Sequence, residues 1–382
     1  MNGLADYRDL WDAQPGWLDT ASYGLPPRPA WDALQEALTQ WRHGSTGWAP
    51  WDASTGRARR AFARLVHADP DAVAVGSTVS GMLSVVAAGL PTGSRVLVPE
   101  IEFTSNLFPW LVQADRGVEV ETVPLAQLTA AVTPATTAVA FSLVQSPTGE
   151  VAPYEDIVEA ARSVGALVVV DGSQAVGWLP VDATRFDVLA CAAYKWLMAP
   201  RGAAFCYLAP ALRDRLRPIA AGWYAGEDVG EAYYGPPLRL ARSARRFDTS
   251  PAWFSYVGAA PALELLDTIG IDRVQAHNVG LANRFLGGLD LPASNSAIVS
   301  VEVPGDAAAA AGRLAAAGVR VGIRAGRVRA SFHLYTSEQD VDLAVDALRG
   351  GPRRPSGRRE HQGQEDRHDR RTGSQGRSAL VH

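Results

Sequence analysis

The chain predicts an α/β protein built on a mainly parallel sheet, and three observations carry that prediction. From about residue 60, short apolar stretches, several of them apolar nearly throughout, alternate with helical patterns, as strands do when helices cover both faces of their sheet. An acid, Asp171, stands at the end of one apolar stretch, and the only lysine of the chain, Lys195, follows the next one. Ligands of open α/β sheets bind at the carboxyl ends of the strands, so both residues fall where such a sheet places its chemistry.

The seven apolar stretches lie at residues 72–75, 95–98, 118–123, 138–143, 166–170, 188–191 and 203–208, with helices expected between them at 81–88, 154–164 and 210–217. Before them, the first sixty residues hold Trp11, Trp17, Trp31, Trp41, Trp48 and Trp51. There the Gly and Pro content of 19–27 predicts a loop, and the apolar spacing of 30–41 predicts a helix. After residue 250 the texture changes: helices at 257–269 and 274–286, a strand at 298–303, a helix at 307–317, a strand at 328–332 and a closing helix at 338–348. The expected division is an N-terminal segment with the large domain over 1–250, and a smaller α+β domain over 251–350 that the N-terminal residues can also pack against. The last segment, 351–382, has eight Arg, three His and four acidic residues and almost nothing apolar. It cannot offset its ordering entropy by burial, and disorder is expected.

With 382 residues, 47% of them hydrophobic, the chain can bury a large core. Its formal net charge of −4 argues against nucleic acid as a partner. The two cysteines, Cys191 and Cys206, sit in apolar stretches, which suits a reducing compartment better than a disulfide framework. The first residues lack a basic segment followed by an apolar run, and no segment approaches about 18 uninterrupted apolar residues. A cytoplasmic protein without membrane contact is expected, and nothing in the residue pattern calls for a metal.

Of the 36 Lys+Arg residues, 35 are arginine, so Lys195 stands where a guanidinium has been kept out. Only an amine can be deprotonated to attack a carbonyl and form an imine. Asp171 lies 24 residues earlier, and a buried carboxylate needs a cationic or hydrogen-bonding partner such as a protonated pyridine nitrogen. The run Gly76-Ser77-Thr78-Val79-Ser80-Gly81 ends a strand and opens a helix, where hydroxyls and amides suit a phosphate. Serine and threonine are also ordinary helix caps, so this run gains its meaning from the other two features.

With those residues in place, the chain resembles the pyridoxal-phosphate enzymes of fold type I, in the class V branch of cysteine desulfurases, kynureninases and related lyases. The resemblance covers about residues 15 to 350. Its motifs are Leu18-Asp19-Thr20-Ala21, the stretch from Glu102 to Trp110, Asp171-Gly172-Ser173-Gln174, Tyr194-Lys195, Phe247-Asp248-Thr249-Ser250-Pro251 and the stretch from Val328 to Tyr335. It implies a large domain with a mainly parallel seven-stranded sheet and a smaller C-terminal domain, pyridoxal 5'-phosphate as cofactor, and a homodimer with shared active sites. Lys195 would carry the cofactor as a Schiff base, Asp171 would pair with the pyridine nitrogen, and Gln174 would bond the phenolic oxygen. Phe103 would stack on the ring, while Thr78 and the Val79 amide would hold the phosphate, with Ser250 reaching it from the partner subunit. Arg329 would grip the substrate carboxylate. Each also has a structural reading: Phe103 as core, Gln174 as a strand cap, Arg329 as an ion-pair partner.

The departures from the family pattern are equally informative. Ala192 and Tyr194 stand where the branch usually has Ser and His, and Ser146 stands where many relatives have Asn. The stretch 317–327 before Arg329, where persulfide-forming desulfurases carry a nucleophilic cysteine, has none. The resemblance is strongest to the carbon–sulfur lyases of ergothioneine biosynthesis, on residues 193–202, 221–227 and 142–146, which implies β-elimination from hercynylcysteine sulfoxide with release of pyruvate and ammonia. An aminotransferase or an amino-acid epimerase would use the same residues, and a cysteine desulfurase fits less well. A trimethylammonium group on the substrate would call for aromatic faces. Trp48, Trp51, Trp223 and Tyr224 are candidates, with packing in the core or at a dimer interface as the alternative.

Overall fold

The computed structural model describes residues 5–303 and 306–350, so the arginine-rich tail at 351–382 lies outside the described residues. Its large sheet has seven strands: β1 (Val73–Gly76), β2 (Arg95–Pro99), β3 (Glu119–Val123), β4 (Ala138–Ser142), β5 (Leu167–Asp171), β6 (Val188–Ala192) and β7 (Ala204–Leu208). They lie in the order β1-β7-β6-β5-β4-β2-β3, all parallel except β7, which runs antiparallel to both its neighbours. A three-stranded antiparallel sheet follows, from β8 (Ile298–Val301), β9 (Gly322–Arg324) and β10 (Arg327–Ser331), with β10 in the middle. The longer helices are α1 (Arg28–His43), α2 (Ala49–Leu65), α3 (Val79–Gly89), α4 (Thr104–Leu111), α5 (Tyr154–Ser163), α6 (Trp253–Ile269), α7 (Ile271–Gly288), α8 (Ala307–Ala316) and α9 (Glu338–Arg349).

Alternation between two buried faces explains why most of the sequence stretches are apolar nearly throughout. Val73, Val75, Val168, Val170, Leu189 and Phe205 face one core, with Ala58, Ala61 and Phe62 of α2 and Ile157 of α5. Ala74, Val169, Val188, Ala190 and Cys206 face the other, against Leu83 and Val86 of α3. β3, at the sheet edge, turns most of its polar side chains to solvent, which suits a strand that must not recruit another.

Helix α6 packs with the first of these cores through Tyr256, Ala259, Ala260, Leu263 and Leu266. A third core gathers Phe285 of α7, Val299, Leu314, Val328, Ala330 and Val341, and Leu18 from the N-terminal segment belongs to it. That segment is tied down by bridges from Trp17 to Arg320 and from Asp19 to Ser331. Helix α9 opens with a capping box between Ser337 and Asp340, whose carboxylate also accepts the Gly16 amide at 2.7 Å.

Four elements differ from the sequence expectation. Helices α2 and α4, the latter with an internal Pro109, had no predicted counterpart, and the stretch before Arg329, for which no strand was expected, contains β9. The helix expected at 210–217 is a single turn, Pro210–Arg213.

Candidate active site

Five of the parallel strands end at one edge of the sheet, and each delivers residues there. β1 runs out at Gly76 and the chain turns at Ser77 and Thr78 into α3. Thr78 caps that helix, its hydroxyl accepting the Gly81 amide at 3.1 Å. The hydroxyl hydrogen and the unbonded amides of the first turn remain for an anion. β5 ends on Asp171 itself, and β6 ends on Ala192, two residues before Tyr194 and Lys195. β2 leads to Phe103 at the start of α4, and β4 leads to Gln145 and Ser146.

A pocket of about 180 Å³ joins Ser77, Thr78, Val79, Ser80, Phe103, Ser105, Asp171, Ser173, Ala192, Tyr194, Lys195 and Arg201. Lys195 Nζ lies 5.4 Å from the centre of the Phe103 ring and 5.7 Å from that of Tyr194. Burial brings the Lys195 ammonium down to about 8, against the pull of Asp171, and the charge of Arg329 pushes in the same direction as burial. Burial also raises the Asp171 carboxyl above its usual range, opposed by Ser173, whose amide donates to Oδ1 at 2.8 Å, and by Lys195. Lys195 sits in a tight place: Gly24 donates its amide to the Tyr194 carbonyl at 2.9 Å, and a Cβ on Gly24 would stand 2.0 Å from the Lys195 carbonyl oxygen. Glycine is required there by contact alone. On the other side, the buried His333 ring meets the Trp196 carbonyl at 2.9 Å and is pushed down to about 4 by burial, so it stays neutral.

Arg329, on β10, is 1% exposed and its guanidinium is fully aimed. Nη1 donates to the Ser146 carbonyl and hydroxyl at 2.9 and 3.1 Å, and Nη2 to Ser22 Oγ and Asp19 Oδ1 at 3.0 and 3.2 Å. Its Nε is buried without a partner. A Cβ at Gly322 would come within 3.2 Å of Nη2, so the glycine of β9 makes the room.

Several expected residues stand elsewhere. Gln174 does not line the pocket: its Nε2 donates to the Ala21 carbonyl and Ser146 Oγ at 3.0 and 3.2 Å, and its Oε1 accepts the Trp196 indole at 2.8 Å. Both amide hydrogens are engaged, so the expected bond to a phenolic oxygen has no free donor here, and Gln174 instead fixes Ser146 and Trp196. Ser146 itself serves Arg329. Ser250 is exposed and is not part of its own chain's pocket. Trp48, Trp51, Trp223 and Tyr224 do not line it either. They cluster with one another: Trp48 stacks on Trp253 at 5.4 Å and meets Trp223 edge-on at 5.9 Å, Trp51 meets Phe254 at 5.0 Å, and the Tyr224 hydroxyl donates to Asp52 at 2.6 Å.

Other residues escaped the sequence reading. Glu102 is buried with its carboxyl raised by burial, accepts the Ser142 amide at 2.7 Å and hydroxyl, and takes the Phe103 amide at 3.1 Å. It locks the loop carrying Phe103 to the end of β4. Ser173, Ser105, Ser22 and Arg201 were also missed, and for Ser173 the adjacency to Asp171 was the available signal.

A sequence profile of the family described as aminotransferase class-V matches residues 17–344. The chain belongs to that family. Class V enzymes depend on pyridoxal phosphate, and the pocket fits it: hydroxyls and amides at the start of α3 for phosphate, a buried carboxylate for the ring nitrogen, an aromatic ring to cover one face, and a buried amine. The uncharacterized aminotransferase YcbU of Bacillus subtilis is 29% identical over 349 residues, covering 87% of this chain and 93% of that protein. A probable cysteine desulfurase of Methanothermobacter thermautotrophicus is 26% identical over 387 residues, with the same 87% and 93% coverage. The crystal structure of the cysteine desulfurase CsdA of Escherichia coli superposes with a TM-score of 0.80 at 22% identity, over 92% of this chain and 98% of that one. That likeness is one of fold.

Proposed function

We propose that this class V enzyme is a carbon–sulfur lyase that cleaves a cysteine S-conjugate sulfoxide, with hercynylcysteine sulfoxide as the substrate, giving a sulfenate, pyruvate and ammonia. One observation carries the choice among family reactions: an amine, a carboxylate and a carboxylate-binding arginine are assembled, and no reactive thiol accompanies them. Both cysteines of the chain are buried, and burial pushes Cys206 up to about 12 and Cys191 well above its ordinary range. Sulfur transfer through a persulfide needs an accessible thiolate. The stretch preceding Arg329 offers instead the β9–β10 hairpin, with Arg324 reaching Ser22 Oγ at 3.4 Å.

The bound cofactor supplies an electron sink at the substrate α carbon, which allows the bond to the β-sulfur to break. Arg329 receives the substrate carboxylate through its unpartnered Nε–H and, in place of Asp19 or Ser22, an Nη2–H, while Ser146 holds Nη1. Lys195 Nζ, neutral in part because burial lowers its pKa, takes the α-proton. Asp171 keeps the ring nitrogen protonated, and Phe103 covers the site. The same reading makes the protein a cytoplasmic homodimer, with the exposed Ser250 serving the partner's phosphate. In that dimer Trp48 and Trp223, on the surface side of their cluster, meet the substrate's trimethylammonium group in the partner's site.

Incubation of the purified protein with S-substituted cysteine sulfoxides, including the histidine-betaine conjugate, tests the reading through pyruvate and ammonia. Absence of pyruvate from every one of them overturns it. A keto acid formed only with an amino acceptor would make the enzyme an aminotransferase, and a D-amino acid an epimerase.

A further inference from the structure

We propose that Arg201, seated on the ring of Tyr194, is the cation that holds the cofactor phosphate in this chain's own pocket. The proposal rests on the pyridoxal-phosphate assignment and adds a residue and a charge arrangement to it.

The pocket carries three formal charges, on Asp171, Lys195 and Arg201. Asp171 belongs to the ring nitrogen, and the Lys195 amine is spent on the bond to the cofactor and on proton transfer. A phosphate lodged at Ser77 to Ser80 would otherwise meet only neutral hydroxyls and amides, since Ala192 brings no hydroxyl and Tyr194 no positive charge. Arg201 lines the same pocket as those hydroxyls, and a guanidinium donates to phosphate oxygens as a planar fork.

Its position is built. The Arg201 guanidinium carbon lies 4.6 Å from the centre of the Tyr194 ring, and Lys195 Nζ lies 5.7 Å from that same centre. Stacking on a ring face leaves the in-plane N–H groups free to donate. The backbone is pinned to α6: the Arg201 carbonyl accepts the Ser255 hydroxyl at 2.8 Å, and a Cβ at Gly202, whose φ is +108°, would stand 2.8 Å from Ser255 Oγ. No carboxylate pairs with the Arg201 side chain among the described residues. Tyr194 thus becomes the platform for a cation seven residues on, and the pair compensates for the hydroxyl and imidazole that the family resemblance leads one to expect at 192 and 194.

The test compares the cofactor with and without its phosphate. The folded protein, stripped of cofactor, is titrated with pyridoxal phosphate and with pyridoxal, and occupancy is read from the absorbance of the bound form. Arg201→Gln is expected to weaken pyridoxal phosphate about tenfold or more, the scale of one charge-assisted bond, while leaving pyridoxal within about twofold. Arg201→Lys should recover part of the loss, Tyr194→Phe should behave as the native protein, and Tyr194→Leu should repeat the phosphate-specific defect. Equal losses for both ligands would show a merely structural residue, and no loss would remove Arg201 from the site; either overturns the proposal. Should Arg201→Gln fold poorly, phosphorus NMR of the Arg201→Lys holoenzyme gives a second readout. The bound phosphate should protonate at a higher pH than in the native holoenzyme, and an unchanged titration counts against Arg201.

Discussion

An ordinary lysine at pH 7 keeps on the order of one amine in several thousand deprotonated. Burial behind Phe103 and Tyr194 lowers Lys195 to about 8, which leaves about a tenth of it free at that pH. Uptake of pyridoxal phosphate by the cofactor-free protein should therefore speed up about tenfold between pH 6 and 7 and level off above 8; a stopped-flow profile still climbing steeply at pH 10 would contradict the buried amine. The same shift bears on stability. The folded chain binds fewer protons than the unfolded chain between about 8 and the ordinary value of 10.5, so the cofactor-free protein gains stability from this group as pH rises through that window, and carries the full cost below it. Asp171 is the other group whose role is chemical. Asp171→Asn keeps the shape of the β5 terminus and removes the charge that holds the ring nitrogen protonated. Turnover should fall on the order of a hundredfold or more with cofactor occupancy retained, measured as pyruvate release per bound cofactor.

At the scale of elements, the segment that carries Ser250 depends on one buried ion pair. Asp248 is fully buried, accepts from Arg59 Nη2 of α2 at 2.5 Å and takes the Val75 amide of β1 at 2.7 Å. Breaking such a pair leaves a buried guanidinium unneutralised, so Asp248→Ala should cost about 3–5 kcal/mol in chemical unfolding; a loss under about 1 kcal/mol would mean that water replaces the carboxylate. This pair also explains what the sequence could and could not tell. Six of the seven large-sheet strands were legible because each is buried on both faces and reads as an apolar run, whereas the edge strand β3 was marked only by the valines among its exposed polar residues. Helix α2 was not, because Pro50, Thr55 and Gly56 weaken its intrinsic helical signal, and it is held by Ala58, Ala61 and Phe62 in the core and by Arg59 reaching across to Asp248. β9 is three residues that begin with Gly322 and exists because β10 pairs with it. Among site residues, Lys195 and Asp171 stood out by type and position, and Arg329 through the family resemblance. Glu102 and Arg201 did not, because their meaning lies in partners distant in sequence, as in the bond from Ser142, 40 residues away, to Glu102.

For the whole molecule, the carboxylate clamp already joins three remote parts of the chain, since Arg329 bonds Ser146 183 positions away and Asp19 310 positions away. Within one chain nothing of the 248–250 segment enters the Lys195 pocket, and the dimer reading places Ser250 across the interface. That arrangement has a consequence in mixed dimers. Lys195→Ala is inactive because it lacks the amine, and Ser250→Glu should be inactive because it sets a carboxylate against the phosphate of the partner's site. In a dimer holding one chain of each kind, one site has both lesions while the other combines an intact Lys195 with an intact Ser250 from its partner. Half of randomly assorted dimers are mixed and each has one sound site, so unfolding and refolding the two inactive proteins together should restore about a quarter of native pyruvate release. If Ser250 acted on its own chain's site, or if the chain worked as a monomer, every site would keep one lesion and the mixture would stay inactive.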